Sequence, residues 1–245
     1  MHYIEYCEAR GIQNRSPLGT TDFYAQLEAI ARNRSAVLAD IENAPVRQVS
    51  RTYGAIQRLL DVCLSCLGLI VGSIPFLIIA IAVKIDSSGP ILYRQARVGR
   101  HGSVFRMLKF RTMRCDAEQT TGPIWATALD PRLTRVGSFL RRFRLDEMPQ
   151  LFNILIGDMT FVGPRPERPE FVYQFARYMP AFNRRHEVKP GIAGIAQMMN
   201  GYDTSAISVY RKIRWDMQYL KKRCLTTDLC ILYRTVIGVL RGDIE

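Results

Sequence analysis

The sequence predicts an α+β fold that is predominantly helical, with a membrane-embedded helix–break–helix segment ahead of a domain of short β-strands and interfacial amphipathic helices. Three observations predict it: an uncharged apolar run at Val62–Val83, β-like segments around a turn at Gly99–Gly102, and helical spacing of apolar residues near both ends. The chain has 245 residues, of which 48% are hydrophobic. This is enough to bury a sizeable core, which excludes disorder throughout.

The formal charge of +12 is distributed unevenly along the chain. Residues 1–54 hold six basic and six acidic side chains, so the whole excess lies downstream. A basic excess of this kind fits nucleic acid, anionic lipid and phosphorylated substrates equally well. The six cysteines lack the density and paired spacing of a disulfide framework, which favours a reducing, cytoplasmic setting.

The N-terminal segment carries one amphipathic pattern. From Thr21, a candidate helix cap, apolar residues recur at helical spacing up to Pro45; they are Phe23, Leu27, Ile30, Val37, Leu38 and Ile41. The pattern predicts one amphipathic helix, which either binds a partner or packs against the rest of the chain.

The run Val62–Val83 is the dominant physical feature. Its 22 residues carry no charge and would form a helix long enough to cross the roughly 30 Å hydrocarbon layer. Pro75, near its middle, removes a backbone donor and clashes with the preceding turn. We therefore predict a bend at Ser73–Pro75, with the Ser73 hydroxyl bonding a carbonyl that the bend releases.

The flanks of this run decide its predicted topology. Both are basic; the residues are Arg47, Arg51 and Arg58 before the run and Lys84, Arg94, Arg97 and Arg100 after it. Basic flanks stay on the cytoplasmic side, so a single span would place one of them wrongly. A re-entrant hairpin broken at residues 73–75 keeps both flanks inside, and we predict that topology.

The downstream chain contains three further patterns. Residues Ile91–Met113 predict a β-hairpin, within a stretch, Arg94–Arg114, that has seven basic residues and no acidic one. A helix is predicted to begin near Ser138–Leu140. A C-terminal apolar repeat predicts a helix that either lies on the membrane interface or packs in the core; it contains Leu225, Leu229, Leu232, Val236 and Leu240.

Two adjacent carboxylates, Asp146 and Glu147, follow three arginines within residues 141–149. They suit a solvated helix start, where acids favour the helix dipole and Pro149 fits the first turn. They also suit phosphoryl chemistry, because a carboxylate attacks phosphorus only where cations remove the repulsion between anions. Mg²⁺ needs only one or two protein carboxylates besides phosphate oxygens and water. Adjacent helical side chains point about 100° apart, which favours separate roles for the two acids.

Residues 163–169, Gly-Pro-Arg-Pro-Glu-Arg-Pro, form a second candidate site. Three prolines stiffen the backbone and present Arg165 and Arg168, and preordered guanidinium groups bind phosphate oxygens bidentately with a smaller loss of entropy. The alternative is a linker, although the preceding apolar run Met159–Val162 is strand-like. Lys189-Pro190-Gly191 predicts another structured turn.

Taken in order, these segments closely resemble the bacterial sugar transferases, the monotopic phosphoglycosyl transferase family, over roughly Arg58 to Leu240. The motifs that carry the resemblance are Arg58-Leu59-Leu60-Asp61 with the Pro-broken apolar run, Gly89-Pro90-Ile91-Leu92-Tyr93-Arg94-Gln95, Lys109-Phe110-Arg111-Thr112-Met113, Asp146-Glu147-Met148-Pro149-Gln150-Leu151-Phe152-Asn153, Gly157-Asp158-Met159, Gly163-Pro164-Arg165-Pro166-Glu167 and Lys189-Pro190-Gly191. Each alone is weak, but together they are specific. Two departures are visible, Met148 where leucine is commoner and Ala193 where threonine is usual.

The resemblance implies a membrane enzyme that transfers a sugar-1-phosphate from a UDP-sugar to polyprenol phosphate and releases UMP, through a covalent aspartyl intermediate. It implies the first membrane step of exopolysaccharide or glycoconjugate assembly. Asp146 resembles the nucleophile and Glu147 the Mg²⁺ ligand. The implied phosphate-binding and site-organising cations are Lys109, Arg111, Arg141 and Arg165. Asp158 and Asp216 match further family positions, either as site residues or as structural salt bridges.

These expectations divide the chain into an N-terminal extension (1–54), a re-entrant membrane anchor (55–86) and a catalytic domain at the cytoplasmic face of the bacterial inner membrane (87–245). No four-helix extension precedes the matching segment, so a compact form is predicted. The expected partners are a UDP-sugar, polyprenol phosphate and membrane lipid, without nucleic acid. The sugar's identity, a homo-oligomer and glycan-assembly partners stay open. The rival hypothesis is a membrane-tethered basic module that binds polyanions, or an inactive scaffold.

Overall fold

The structure is a computed structural model that describes residues 1–12, 22–119, 122, 124–125, 130–200 and 205–241. The N-terminal extension contains three helices, α1 (Tyr3–Ala9), α2 (Asp22–Asn33) and α3 (Ser35–Asn43). The predicted single helix between residues 21 and 45 is therefore two helices, which separate at Arg34. Thr21, its predicted cap, lies outside the described residues.

The interruption at Arg34 allows two short apolar faces to reach one core. Phe23 and Leu27 of α2, and Leu38 and Ile41 of α3, are buried in the main hydrophobic core together with side chains from the C-terminal half of the chain. Burying each large apolar side chain stabilises the fold by roughly 1.5–3 kcal/mol. The amphipathic pattern is thus used for packing against the rest of the chain.

The uncharged run forms two helices, α4 (Arg51–Val71) and α5 (Ser73–Asp86), separated by Gly72 alone. The interruption lies immediately before the predicted residues 73–75. Pro75 is the third residue of α5, in the first helical turn, where a missing N–H leaves no helical hydrogen bond unmade. Among the described residues, no hydrogen bond involves the Ser73 hydroxyl.

The surface of this helix pair is apolar and exposed. Within the described part of the chain, α4 is the one helix long and apolar enough to cross a membrane. Large aliphatic side chains of both helices are between 56% and 72% exposed; they include Leu67, Ile70, Val71, Ile74, Leu77 and Ile78. A contiguous apolar surface of this kind marks an interaction with a membrane or another apolar partner.

The predicted β-hairpin is confirmed. Strands β1 (Leu92–Val98) and β2 (Val104–Phe110) pair in antiparallel register, with Val98 opposite Val104. The connecting turn has left-handed backbone at His101 (φ 56°) and Gly102 (φ 77°), which reverses the chain within a few residues.

The remaining elements are α6 (Arg135–Arg142), α7 (Gln150–Ile156), β3 (Thr160–Val162), α8 (Pro169–Tyr178), β4 (Gly191–Ala193), α9 (Ile195–Asn200), α10 (Ala206–Lys222) and α11 (Leu225–Arg241), with 3-10 turns at Leu145–Glu147 and Pro180–Glu187. Strands β3 and β4 pair in parallel. The predicted helix near Ser138 begins earlier, at Arg135, because the Thr134 hydroxyl caps it by accepting from the Gly137 amide.

Both ends of the α4–α5 pair are attached to the same globular body. Near the start of the apolar run, Arg58 donates to two carbonyls in the last turn of α7 at 2.8 and 2.6 Å. The neighbouring Asp61 carboxylate accepts from the Thr160 hydroxyl at 3.0 Å. At the other end of the pair, the Asp86 carboxylate accepts from the Val136 amide at 2.9 Å.

Helix α11 has both a core-facing and an exposed apolar side. On the inner side, Ile231 is buried and the Asp228 carboxylate accepts from the Tyr53 hydroxyl at 2.6 Å. On the outer side, Leu229 and Val236 of the predicted stripe are 52% and 56% exposed. Helix α11 thus packs in the core on one side and leaves apolar side chains of the predicted stripe exposed on the other, and its contact with a membrane interface stays a prediction.

Candidate active site

The two adjacent acids lie on the 3-10 turn between α6 and α7. Arg144 has left-handed backbone (φ 57°) and redirects the chain after α6. Its carbonyl accepts from the Glu147 amide at 3.2 Å, which fixes the turn. Asp146 and Glu147 are only 5% and 7% exposed, so the interpretation of the pair as a solvated helix start is wrong.

Glu147 is held by two cations. Its Oε1 accepts from Lys109 Nζ at 3.0 Å, and the Arg165 guanidinium bonds both carboxylate oxygens in a fork, one of them at 3.2 Å. Burial alone would raise the pKa of Glu147, but Arg165 and Lys109 outweigh it and hold that pKa well below its usual range. Glu147 is therefore a fixed anion.

Asp146 differs from its neighbour because its carboxylate makes no hydrogen bond or ion pair within the described residues. Burial raises its pKa above the ordinary value, against the opposing effect of Lys109 and with a further rise from Glu147. Arg141 also favours its charged form, and the Thr112 hydroxyl holds the Arg141 Nε at 3.1 Å. Asp146 is thus a buried carboxylate with cations nearby and, within the described ranges, no bonded partner.

Both acids line a cavity of about 660 Å³. Eleven of its lining residues are basic and four are acidic. An excess of guanidinium and ammonium groups in a concave site suits a ligand with several phosphate oxygens. The cavity therefore accounts for part of the basic excess downstream of residue 54 and favours phosphorylated ligands over a flat polyanion surface.

The loop at residues 163–169, here called the arginine loop, is built into the protein. Arg165 reaches Glu147 with its side chain, while its carbonyl accepts from Arg185 at 2.7 Å. The next carbonyl, of Pro166, accepts from Arg97 at 2.8 Å. These contacts hold the backbone of the loop in place, so the linker interpretation is wrong.

A second group of buried charges lies against the arginine loop, and we call Glu167, Arg185, Lys212 and Asp216 the supporting cluster. Glu167 pairs with Lys212 at 2.5 Å, and Asp216 pairs with Arg185 at 2.9 Å. Burial would raise the pKa of Glu167, but Lys212 and Arg97 lower it to about 2. For Asp216, this geometry favours the salt-bridge alternative, since Arg185 in turn holds the Arg165 carbonyl.

The predicted residues do not all meet at the acid pair. Lys109, Arg141 and Arg165 surround it, and with the two acids they share the cavity wall. Arg111 also lines the cavity, but its guanidinium donates to the Ser87 carbonyl at 2.6 Å and to the Val83 carbonyl at 3.3 Å, at the C-terminal end of α5. The Arg111 guanidinium is therefore directed towards the end of α5 and is not one of the cations around the acid pair.

Asp158 lies away from the cavity wall, in the turn between α7 and β3. Its carboxylate accepts from the Asn153 side-chain amide at 3.4 Å, and its own amide donates to the Asn153 carbonyl at 3.0 Å. Asn153 also donates to the Arg106 carbonyl on β2 at 2.9 Å. These contacts tie the turn to the hairpin, which fits a structural role for Asp158.

A divalent cation can be tested against the side chains present. The described residues contain no group of three or more His, Cys, Asp and Glu side chains that could hold a metal ion by themselves. Mg²⁺ commonly takes only one or two protein carboxylates, with phosphate oxygens and water as its other ligands. Glu147 and Asp146 supply that number of hard oxygen donors beside a cavity suited to phosphates, so the donor set fits Mg²⁺.

Sequence reasoning missed several residues of the cavity. The sequence places Arg97 only in the basic flank of the membrane run and in the basic stretch Arg94–Arg114, and it gives no specific sign of Trp125, Arg185 or Lys212, although all four line the cavity. Their nearest signal was the general basic excess. Nothing in the linear spacing brings residue 212 to residue 167, so the supporting cluster emerges only from the fold.

A buried acid pair in a basic cavity, next to an exposed apolar helix pair, is typical of a membrane-associated protein whose site suits phosphorylated ligands. The family model described as "Bacterial sugar transferase" matches residues 52–242, and the chain belongs to that family. This confirms the resemblance found in the sequence. The match leaves residues 1–51, including α1 to α3, outside the family region.

Several relatives carry names that describe a reaction. The chain is 40% identical over 193 residues to the UDP-N-acetylgalactosamine-undecaprenyl-phosphate N-acetylgalactosaminephosphotransferase of Aeromonas hydrophila, covering 79% of this chain and 45% of the relative. It is 38% identical over 191 residues to the UDP-glucose:undecaprenyl-phosphate glucose-1-phosphate transferase of Caulobacter vibrioides, covering 76% and 70%. It is 33% identical over 192 residues to the exopolysaccharide production protein PSS of Rhizobium leguminosarum, covering 76% and 95%. The chain thus spans less than half of the Aeromonas relative.

Proposed function

We propose that this protein transfers a sugar-1-phosphate from a UDP-sugar to polyprenol phosphate and releases UMP, at the cytoplasmic face of the bacterial inner membrane. The observation that carries the proposal is the contrast within the acid pair: Glu147 is fixed by Lys109 and Arg165, whereas Asp146 faces the same basic cavity with no bonded partner among the described residues. The names of the relatives support the same reaction class.

In the first step, an Asp146 carboxylate oxygen attacks the phosphorus that bears the sugar. The bond between this phosphorus and the bridging oxygen of the diphosphate breaks, and UMP leaves with the electron pair. The product is an acyl phosphate that links Asp146 to the sugar. Lys109, Arg141 and Arg165 would bind the phosphate oxygens and reduce the repulsion between two anions.

In the second step, a phosphate oxygen of polyprenol phosphate attacks the same phosphorus. The acyl–phosphate bond breaks, the Asp146 carboxylate is regenerated, and polyprenyl-diphosphate-sugar is released. The attacking oxygen is already anionic, so neither step requires a proton transfer. Met148 follows the acid pair directly and lies against Gly72, at the break between the two exposed apolar helices. An acceptor whose lipid chain lies along these helices would therefore have its phosphate close to Asp146.

Magnesium is part of the proposal because the donor set fits it. Bound Mg²⁺ would neutralise charge on the diphosphate and stabilise the leaving phosphate. Glu147 would hold it, with Asp146 adjacent. Excess chelator should abolish UMP release, and added Mg²⁺ should restore it. Full activity in chelator would remove the metal from the proposal.

For the membrane segment we propose a re-entrant hairpin. Its support is the attachment of both ends to one globular body, through Arg58 and Asp61 at the start and Asp86 at the end. Single cysteines replacing Arg51 and Ser88, in a cysteine-free background, should react with an impermeant thiol reagent only from the cytoplasmic side. Reaction of either one from the periplasmic side would indicate a span.

The reaction is tested by a screen for UMP release over UDP-sugars with a short polyprenol phosphate, followed by mass spectrometry after incubation with donor alone. Wild type should gain one phosphosugar on the peptide containing Asp146. Asp146→Asn should gain none, because an amide lacks the anionic oxygen, while Glu147→Gln should gain it slowly. An adduct on Glu147 would reverse the two roles. Salt-sensitive binding of polyanions, with no UMP release from any donor, would favour the non-catalytic module.

A further inference from the structure

We propose that α2, which lies outside the family region, positions one wall of the donor site: Phe23 holds Trp125, and Trp125 contacts a ring of the UDP-sugar. This inference rests on the proposed function for the identity of the ligand. It makes the N-terminal extension a part of the substrate site, and it names Phe23 as a positioning residue that does not itself touch the donor.

The geometry begins with an aromatic contact across the chain. The Phe23 and Trp125 rings are edge-to-face, with centroids 5.6 Å apart and an interplanar angle of 86°. Phe175 of α8 lies 6.1 Å from both rings. Phe23 is 1% exposed, whereas Trp125 is half-buried and lines the cavity. Phe23 and Phe175 therefore pack against Trp125 from the core, and the ligand cavity lies on its open side.

The part of the cavity around Trp125 differs chemically from the part around the acid pair. Phe171 adds a second aromatic wall, with its ring 6.0 Å from that of Trp125. Arg132 donates to the Trp125 carbonyl at 3.4 Å, and Arg168 is held by Glu118 at 2.6 Å. Aromatic faces flanked by fixed donors and an acceptor suit a ring that has an apolar face and a polar edge.

A UDP-sugar contains two such rings, the uracil and the hexose. Both stack on aromatic side chains, and both have oxygen atoms at the edge that accept from guanidinium groups. The cationic wall near Asp146 suits the diphosphate that joins them. A donor that spans the cavity would place one of its rings against Trp125, and the two sources of that ring are separable by using UMP, which has no hexose.

Trp125 can report on this contact directly. The chain has two tryptophans, Trp125 and Trp215, so Trp215→Phe leaves Trp125 as the only one. In this variant we expect the fluorescence to change on titration with UMP if uracil is the ring, and with UDP-glucose or UDP-N-acetylgalactosamine but not UMP if it is the hexose. Either response supports the contact. Saturable donor binding, measured by calorimetry, without any fluorescence change would overturn it.

The role of α2 is tested by a matched pair in the same background. Phe23→Ala and Leu27→Ala each remove a fully buried side chain one helical turn apart on α2, but only Phe23 has its ring against Trp125. We expect Phe23→Ala to weaken binding of the responding ligand by about tenfold, the order of one aromatic stacking contact. Leu27→Ala should change it less than about twofold, and Phe23→Tyr should restore most of it.

The turnover numbers complete the test. Because Phe23 positions a binding wall, the KM for the donor should rise while kcat at saturating donor stays within about threefold. Equal losses of affinity in Phe23→Ala and Leu27→Ala would reduce Phe23 to a core residue and overturn the inference; if Phe23→Ala fails to fold, Phe23→Leu serves the same comparison. A fluorescence response with no UMP release from any donor would instead contradict the proposed reaction while leaving the Trp125 contact intact.

Discussion

The supporting cluster and the acid pair with its cations, Lys109 and Arg165, both bury two carboxylates, and they differ in what those carboxylates contact. In the supporting cluster each acid has a cation at bonding distance, 2.5 Å for Glu167 and 2.9 Å for Asp216. In the acid pair Glu147 has two such partners, whereas Asp146 has none in the part of the chain that the structure describes. A carboxylate buried without such a partner costs stability, and this contrast fits the nucleophilic role proposed for Asp146.

The largest expected contrast is in stability. The folded pKa of Glu167 lies near 2, below its unfolded value, so its charge stabilises the fold above that unfolded value, and the contribution is lost as the pH falls towards 2. At neutral pH, Glu167→Gln should lower the free energy of unfolding by about 3–5 kcal/mol, because the buried cations Lys212 and Arg97 both lose the carboxylate with which they pair. The measurement is the unfolding midpoint of wild type and Glu167→Gln, compared in the same detergent.

Asp146→Asn is the matched control with the opposite sign. Burial raises the folded pKa of Asp146, so its ionised form at neutral pH opposes folding, and a neutral amide should leave stability unchanged or raise it. A clear loss of stability in Asp146→Asn, comparable to that in Glu167→Gln, would mean that the acid has a structural partner and would remove the contrast between the two clusters.

The next effect is on rate and separates two of the predicted cations. Arg165→Lys keeps the charge but loses the fork to Glu147, and we expect the rate of adduct formation to fall about 10²-fold, as when one preorganised donor is lost. Arg111→Lys should lower the unfolding midpoint and reduce the rate of adduct formation less than Arg165→Lys does, because the Arg111 guanidinium bonds carbonyls at the end of α5. If Arg111→Lys reduced the rate more than Arg165→Lys, Arg111 would be a phosphate-binding residue after all.

The smallest effect is a shift in pH dependence. Attack requires an ionised Asp146, so adduct formation from donor alone should decline as the pH falls through a pKa above the ordinary 3.8. Glu147→Gln removes a neighbouring like charge and frees Lys109 and Arg165 to act on Asp146, so the acid limb should move to lower pH. An unchanged acid limb in Glu147→Gln would show that the two carboxyl groups do not interact. Polyprenol phosphate is omitted because it titrates itself.

The features that the sequence predicted well depend on local spacing. The β-hairpin follows from β-like residues around Gly99–Gly102, and the interrupted apolar helix follows from an uncharged run that contains Gly72 and Pro75. The acid pair is recognisable in the sequence because two adjacent carboxylates directly after several arginines are chemically unusual. The prediction of one continuous helix over residues 21–45 was wrong, because the spacing of the apolar residues gives no sign of the break at Arg34.

The partners of the site could not be predicted because long segments of chain separate them. Glu167 and Lys212 are 45 residues apart, and the chain between Phe23 and Trp125 contains α3, α4, α5 and the β-hairpin. Arg111 shows the same limit over a short distance. Alternation would place it with Lys109 on one face, but β2 ends at Phe110, so the next side chain turns towards α5.

Glycines of the arginine loop pack closely against the segment Lys189–Gly191, so these two sequence motifs form one rigid unit. A side chain on Gly191 would clash with the backbone of Gly163, and one on Gly163 would come within 2.6 Å of the Lys189 carbonyl. The two segments are also bonded, since the Gly191 amide donates to Pro164 at 3.0 Å. Neither segment can therefore gain a methyl group unless the other moves away. A displacement of the turn that carries Lys189 would therefore be transmitted to the arginine loop, which carries Arg165.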